Sequence, residues 1–129
     1  MAILGKKKGY EVKSDIKKLE WGDEPGVGYE IVFKEVKDGR LGGKMLIGYD
    51  TESGELVYMS CPSNLAVQLD NVKPVFGDVL YIEFVDWSTN PATGRKFKRF
   101  KVWYYPRDNK EVQEILKKLG LIEELDLNL

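Results

Sequence analysis

Two β-type runs that flank a polar turn, within residues 77–105, constrain the fold more than any other feature of the chain. Residues 79–87 and 96–105 are rich in aromatic and β-branched side chains, and residues 88–94 between them contain Pro91 and Gly94. Such punctuation predicts a β-hairpin with a long polar tip. The second arm interleaves cations with rings and contains no acid: Arg95, Lys96, Phe97, Lys98, Arg99, Phe100, Lys101, Trp103, Tyr104 and Tyr105.

The composition limits the chemistry that the chain can perform. The length of 129 residues indicates one domain, and the net charge of −1 means that any anion-binding surface is a local patch. The single Cys61 and the absence of His exclude an internal disulfide, cysteine-cluster and histidine zinc sites, and histidine-based catalytic triads. We therefore predict no catalytic residue, no metal and no cofactor.

Nothing in the sequence predicts a membrane protein. No apolar run approaches the ~18 residues that a membrane-spanning helix needs. The N-terminal charges Lys6, Lys7 and Lys8 follow a short apolar piece, which is the reverse of a secretory signal. We expect a cytoplasmic protein with no membrane partner, located in the host cell if its source is viral.

The remaining elements follow from alternation and helical spacing. Three strands over residues 29–36, 44–49 and 55–60 form a meander. Leu65 and Leu69 share one face of a short helix that Ser63 or Asn64 can cap, and a second helix spans residues 110–119. The predicted organisation is one all-β domain, with an irregular arm over 1–28, a barrel over 29–106, and a helix with an acidic-hydrophobic tail over 107–129.

This element order is that of the OB-fold, a five-stranded Greek-key barrel with a short helix between strands three and four. The pattern Leu65-x-x-x-Leu69, Gly77-Asp78-x-Leu80-x-Ile82-x-Phe84 and Thr93-Gly94-Arg95-x-Phe97-x-x-Phe100-x-Val102 resembles small OB-fold single-stranded DNA-binding proteins of viral and archaeal type. The resemblance covers residues 29–105. It implies non-specific binding of single-stranded DNA in a cleft over the barrel, in replication, recombination or repair.

The C-terminal tail resembles the partner-recruiting tails of such proteins, although it ends in Leu127-Asn128-Leu129 instead of Pro-Phe. A protein partner at this tail is therefore one expectation. A homodimer is another, formed through an outer barrel surface or the C-terminal helix.

Strand phase separates core positions from ligand positions in the hairpin. Leu80, Ile82 and Phe84 share one face, and Phe100, Val102 and Tyr104 share another, so we expect both sets to point into the barrel. The positions left facing outward are Tyr81, Trp87, Phe97, Arg99, Lys101 and Trp103. A single bulge would reverse the assignment beyond it.

The predicted site combines stacking with phosphate pairing. Bases stack on Tyr81, Trp87, Phe97 and Trp103, and phosphates pair with Arg95, Lys96, Lys98, Arg99 and Lys101. Tyr49 and Tyr58, near Lys44, lie either on the ligand floor or in the core. Two alternatives stay open: RNA binding by the same face, and a structural or oligomerising barrel whose aromatic strand contacts protein and has no nucleic-acid role.

Overall fold

The computed structural model describes residues 16–39, 43–123 and 125 of the chain. Six strands and two helices follow in the order β1 (Lys17–Lys18), β2 (Gly28–Asp38), β3 (Lys44–Asp50), β4 (Leu56–Cys61), α1 (Ser63–Val72), β5 (Val79–Thr89), β6 (Lys96–Tyr105) and α2 (Lys110–Lys118). The Lys6–Lys8 run and the last four residues of the tail lie outside the described residues. The expectation of a mostly β chain is confirmed.

All strands belong to one mixed sheet with the order β1-β4-β3-β2-β5-β6. The pairs are antiparallel except β1 with β4, where Lys17 lies opposite Val57 and Lys18 opposite Tyr58. The five strands of the sequence prediction are present within about two residues at each end, as boundary uncertainty allows.

The closed five-stranded barrel is not confirmed. The sheet has a sixth strand, and among the described residues no strand pairs with the outer edge of β6. The reason lies in the segment before β2, because β1 occupies the outer edge of β4 that would otherwise be available to β6. Two residues are too few to carry a periodicity signal, and the sequence prediction placed them in an irregular arm that could hold either a short strand or a turn of helix over residues 11–19.

The two faces of the sheet are covered by different helices. On one face Ile31, Leu46 and Phe84 pack with Leu65 and Leu69 of α1. On the other face Val32 and Val79 pack with Val112 and Leu116 of α2. Burying such a side chain contributes roughly 1.5–3 kcal/mol, so both helices are held by the sheet and not by helix propensity alone.

The helix ends differ in how far sequence analysis anticipated them. Asp108 and Asn109 both precede α2 and could cap it. The cap is Asn109, because its side chain accepts hydrogen bonds from the backbone N–H groups of Glu111 and Val112. The prediction for α1 was wrong. Pro62 is the N-cap without a side-chain bond, and the Asn64 side chain instead donates to the carbonyl oxygen of Lys98.

Asp78 joins the start of β5 to the end of β6. Its buried carboxylate accepts from the backbone N–H of Val75, the backbone N–H of Arg107 and the hydroxyl of Tyr104. Gly77 precedes it with a φ of 103°, a conformation that favours glycine. The Gly-Asp pair is therefore a structural device that fixes the base of the hairpin.

Candidate functional site

A β-bulge in the hairpin determines which side chains share a face. The pairing of β5 with β6 shifts register between Phe84 and Asp86, so Trp87 lies opposite Lys98. Residues directly opposite on antiparallel strands share a face. The prediction that Trp87 faces outward with Tyr81 is thus wrong: beyond the bulge its ring packs on Phe84, with 5.5 Å between centroids.

The outer face of the hairpin carries five of the predicted site residues. Its cross-strand pairs are Tyr81 with Trp103, Glu83 with Lys101, Asp86 with Arg99, and Ser88 with Phe97. Each of its two basic side chains therefore lies opposite an acid. The second arm of the hairpin contains no acid, and the acids opposite its two cations come from the first arm.

Arg99 and Asp86 form a two-pronged ion pair on this outer face. The guanidinium donates through Nε and Nη2 to both carboxylate oxygens. The hydrogen bond from Arg99, followed by its charge, lowers the pKa of Asp86 and the same pair raises the pKa of Arg99. The Arg99 cation is thus matched locally and is less available to a phosphate.

The outer face also presents rings to solvent. Trp103 is 41% exposed and Phe97 is 38% exposed. Trp103 meets Tyr81 edge-on at 5.6 Å between centroids. The Tyr81 hydroxyl lies close above Gly28, where a side chain would collide with it. This surface is apolar with matched charges, a combination common at protein contacts.

The inner face beyond the bulge is different. The Lys98 ammonium lies 5.2 Å from the centroid of the Trp87 ring and 5.5 Å from that of Phe84. Trp87 is 40% exposed, and its indole N–H donates to the carbonyl oxygen of Asp23 at 2.9 Å. Among the described residues no carboxylate forms an ion pair with Lys98. A cation and an open ring therefore stand together here.

A cleft of about 810 Å³, lined in part by Lys98, opens between β4 and β6. Ligand pockets of proteins have volumes of about 300–1,000 Å³. The cleft brings together three predicted site residues, Lys44, Tyr58 and Lys98. It adds residues that sequence analysis did not assign to the site, namely Ile16, Asp38, Gly39, Gly43, Met45, Ile47, Ser60, Cys61, Pro62 and Phe100, together with Trp21.

Trp21 holds the floor of the cleft. Its ring contacts Tyr29 at 5.0 Å and Phe100 at 4.9 Å, and only 8% of the residue is exposed. Trp21 is therefore a packed side chain that fills the space between Tyr29 and Phe100. Its indole N–H has no hydrogen-bond partner within the described part of the chain. An unpaired buried donor carries a free-energy cost that an acceptor in the cleft would relieve.

The other predicted cations and Tyr49 are placed elsewhere. Lys44 pairs with Asp38, and this hydrogen bond and charge raise the pKa of Lys44. Arg95 and Lys96 are exposed at the hairpin tip, where Asn90 and Thr93 close the turn by bonding the backbone of Arg95. Tyr49 belongs to the core beside α2 and stacks on Phe76 at 6.4 Å, so it is not on the cleft floor.

Cys61 borders the cleft as a buried free thiol. Burial, and then the Asp70 carboxylate, raise the pKa of this thiol to about 11. A nucleophilic cysteine needs the opposite shift, toward the thiolate at neutral pH. Cys61 therefore has the environment of a structural residue.

Two further findings concern groups that the described residues lack. No helix in this part of the chain is long and apolar enough to cross a bilayer. The same residues contain no cluster of three or more potential metal-ligating side chains.

Comparisons with known proteins returned no similarity on which to draw. No protein-family model, no curated protein and no solved structure matches this chain. The geometry of the cleft and of the two hairpin faces is therefore the basis for a functional proposal.

Proposed function

We propose that this chain binds single-stranded nucleic acid, with DNA favoured over RNA, in the cleft between β4 and β6 and without sequence preference. One observation carries the proposal: the Lys98 ammonium, which forms no ion pair with any carboxylate of the described residues, lies 5.2 Å from the centroid of the half-exposed Trp87 ring, and Lys98 also lines a cleft of about 810 Å³. Polyanions that carry flat bases are bound by this combination of cation and ring.

In this mechanism the aromatic rings stack with bases and the basic side chains pair with phosphates. One base stacks on the exposed face of Trp87, and a second enters the cleft against Tyr58. Lys98 pairs with the phosphate backbone, and the exposed Arg95 and Lys96 extend the basic track along the hairpin tip. Lys44 has a smaller part, because Asp38 already engages it. Each stacked base contributes roughly 1–3 kcal/mol, and each phosphate contact adds salt-dependent affinity.

The connectivity of the sheet supports an OB-type barrel that is open between β4 and β6. The central strand β2 pairs with both β3 and β5, and α1 lies between β4 and β5 in the chain. The segment before β2 bridges the gap, because the Leu19 N–H donates to the carbonyl oxygen of Tyr58 while Trp21 packs on Phe100. A cleft over the barrel is where the resemblance to single-stranded DNA-binding proteins locates the ligand, and a role in replication, recombination or repair follows from it.

The outer face of the hairpin has a smaller part in this proposal than the sequence suggested. Arg99 is engaged by Asp86, and Lys101 lies opposite Glu83. A phosphate that approached Arg99 would compete with a carboxylate already in place, and one that approached Lys101 would meet the like charge of Glu83 on the neighbouring strand. Of the outer rings, Trp103 is therefore assigned to another role below.

The test compares two lysines of one strand. Lys98→Ala removes the cleft cation, and Lys101→Ala removes a cation three residues further on, on the opposite face. Binding of an oligo-dT strand is followed by quenching of tryptophan fluorescence at several salt concentrations. Lys98→Ala should lower affinity and reduce the slope of log K against log salt by about 0.7, the value for one phosphate contact on a single strand.

Lys101→Ala should leave the slope close to that of the unmodified protein. Equal losses in the two variants would contradict the cleft as the site. Absence of quenching and of a gel shift at low salt would remove the nucleic-acid proposal altogether. An RNA strand of matched sequence, titrated in parallel, reports the preference between the two sugars.

A further inference from the structure

The outer edge of β6 is divided into a covered half and an open half. On the covered half, the Asn64 side-chain amide donates to the carbonyl of Lys98 and the Gln68 amide donates to the carbonyl of Phe100, both at 2.8 Å. The two amides are four residues apart on α1 and so lie on one face of that helix. They satisfy edge carbonyl groups that no strand reaches.

The open half follows from strand alternation. The Lys98 and Phe100 carbonyls point away from β5, so the backbone groups of Val102 and Tyr104, which are in phase with them, point the same way. Across the described residues no strand pairs with this edge, and no other backbone group bonds Val102 or Tyr104 there. An open strand edge of this kind is a template for pairing with another chain.

The side chains of the open half are uncharged and partly exposed. Residues 102–105 read Val-Trp-Tyr-Tyr, and Trp103, Tyr104 and Tyr105 are 41%, 39% and 40% exposed. The basic residues of β6 all lie in its first six residues, from Lys96 to Lys101. This asymmetry distinguishes antiparallel from parallel pairing of a second copy with the same edge.

We propose that a second copy of this chain pairs with the open half of β6, edge to edge and antiparallel, about a two-fold axis at Trp103. Val102 then lies opposite the partner's Tyr104, and the reciprocal pair completes about four backbone hydrogen bonds. The two Trp103 rings meet at the axis. The basic halves of the strands point away from each other, whereas a parallel, in-register pair would bring like charges together.

This interface leaves the cleft accessible, because Lys98 and Phe100 lie in the other half of the strand. It gives the exposed Trp103 ring a partner, and the nearby cations do not oppose it, because Asp86 engages Arg99 and Glu83 lies opposite Lys101. Formation of this dimer therefore does not depend on nucleic-acid binding.

The register allows a charge test at Tyr105, which lies opposite the partner's Lys101 in the proposed dimer. Tyr105→Glu places an acid beside that lysine twice per dimer, and Tyr105→Lys places a like charge there. Sedimentation equilibrium should show a reversible dimer of the unmodified protein. Tyr105→Glu should tighten it and Tyr105→Lys should weaken it, each by about 2- to 30-fold in Kd, since two cross-strand pairs change.

A second variant tests the backbone. Val102→Pro removes an N–H that points outward and is not part of the ladder with β5, so the monomer should keep its far-UV circular dichroism while the dimer is lost. If this variant unfolds, the Tyr105 pair alone decides the question. A monomeric unmodified protein overturns the proposal, and so does a dimer whose Kd is the same for Tyr105→Glu and Tyr105→Lys.

Discussion

The two faces of the β5–β6 hairpin are built from the same two strands and yet present different chemistry. On the outer face, Arg99 is held by Asp86 and Lys101 lies opposite Glu83, so each cation has an acid across the strand pair. The aromatic rings are then the groups of this face that are left to bind a partner. On the inner face beyond the bulge, Lys98 stands over Trp87 with no matching acid among the described residues. A strand rich in cations and aromatic rings is therefore not one binding surface. The acids of the neighbouring strand determine which of its two faces can attract an anion.

The largest expected effect tests the inner face as a packed unit. Phe84 is fully buried and contacts Trp87, Phe100 and Lys98. Phe84→Ala should lower the free energy of unfolding by about 3–5 kcal/mol, because it removes a buried ring and leaves a cavity. Urea denaturation followed by circular dichroism measures this change.

The matched control is Phe97→Ala, a change of the same kind on the outer face of the same hairpin. Phe97 is 38% exposed, so its loss should change the unfolding free energy by about 0.5 kcal/mol or less. If both variants lose the same stability, the assignment of the two faces is wrong.

The second prediction concerns alkaline pH. The pKa of Cys61 is raised by burial to about 11 in the folded chain, against about 8.5 for a free thiol. The folded state therefore favours the protonated thiol. Its stabilising contribution is fully present below pH ~8.5 and is lost as pH rises toward 11.

Cys61→Ala isolates this contribution, because other titrating groups are common to both proteins. Between pH 8.5 and 11 the unmodified protein should lose up to about 3 kcal/mol more unfolding free energy than Cys61→Ala. The measurement is urea denaturation of both proteins at each pH. Equal losses of unfolding free energy in the two proteins would show that the thiol is not desolvated, and that the inner face is more accessible to water than the structure indicates.

The smallest expected effect tests the outer face. Asp86→Asn removes the acid that holds Arg99 and frees that cation toward solvent. If nucleic acid is bound only in the cleft, the affinity for oligo-dT should stay within a factor of about two, since exposed ion pairs contribute little. Fluorescence titration at low salt measures it, and a large gain in affinity would return the outer face to the site.

Much of the local structure could be predicted because its signals are local. The alternation of residues 79–87 and 96–105 predicted β5 and β6, and the spacing of Leu65 and Leu69 predicted the buried face of α1. The sequence allowed Asp108 or Asn109 as the cap of α2, and Asn109 is the residue that caps it. In each case the information lies within a few residues of the element that it describes.

The candidate site could be predicted only in part. Lys44, Tyr58 and Lys98 were named and lie together in the cleft, but they were named for different reasons and with Tyr49, which packs beside α2 instead. Trp87 was assigned to the wrong face because one extra residue at the bulge reverses the phase. Tyr104 was expected in the core, but it is 39% exposed, and its hydroxyl donates to Asp78 at the base of the hairpin.

The chain alone thus specifies its strands, its helices and the alternation of rings and cations in β6. Long-range pairing specifies the rest: which acid faces Arg99, where β1 joins the edge of β4, and that a cleft separates β4 from β6. The physical reason is that periodicity is a property of neighbours in sequence. Register and charge matching are properties of residues that meet only when the sheet has formed.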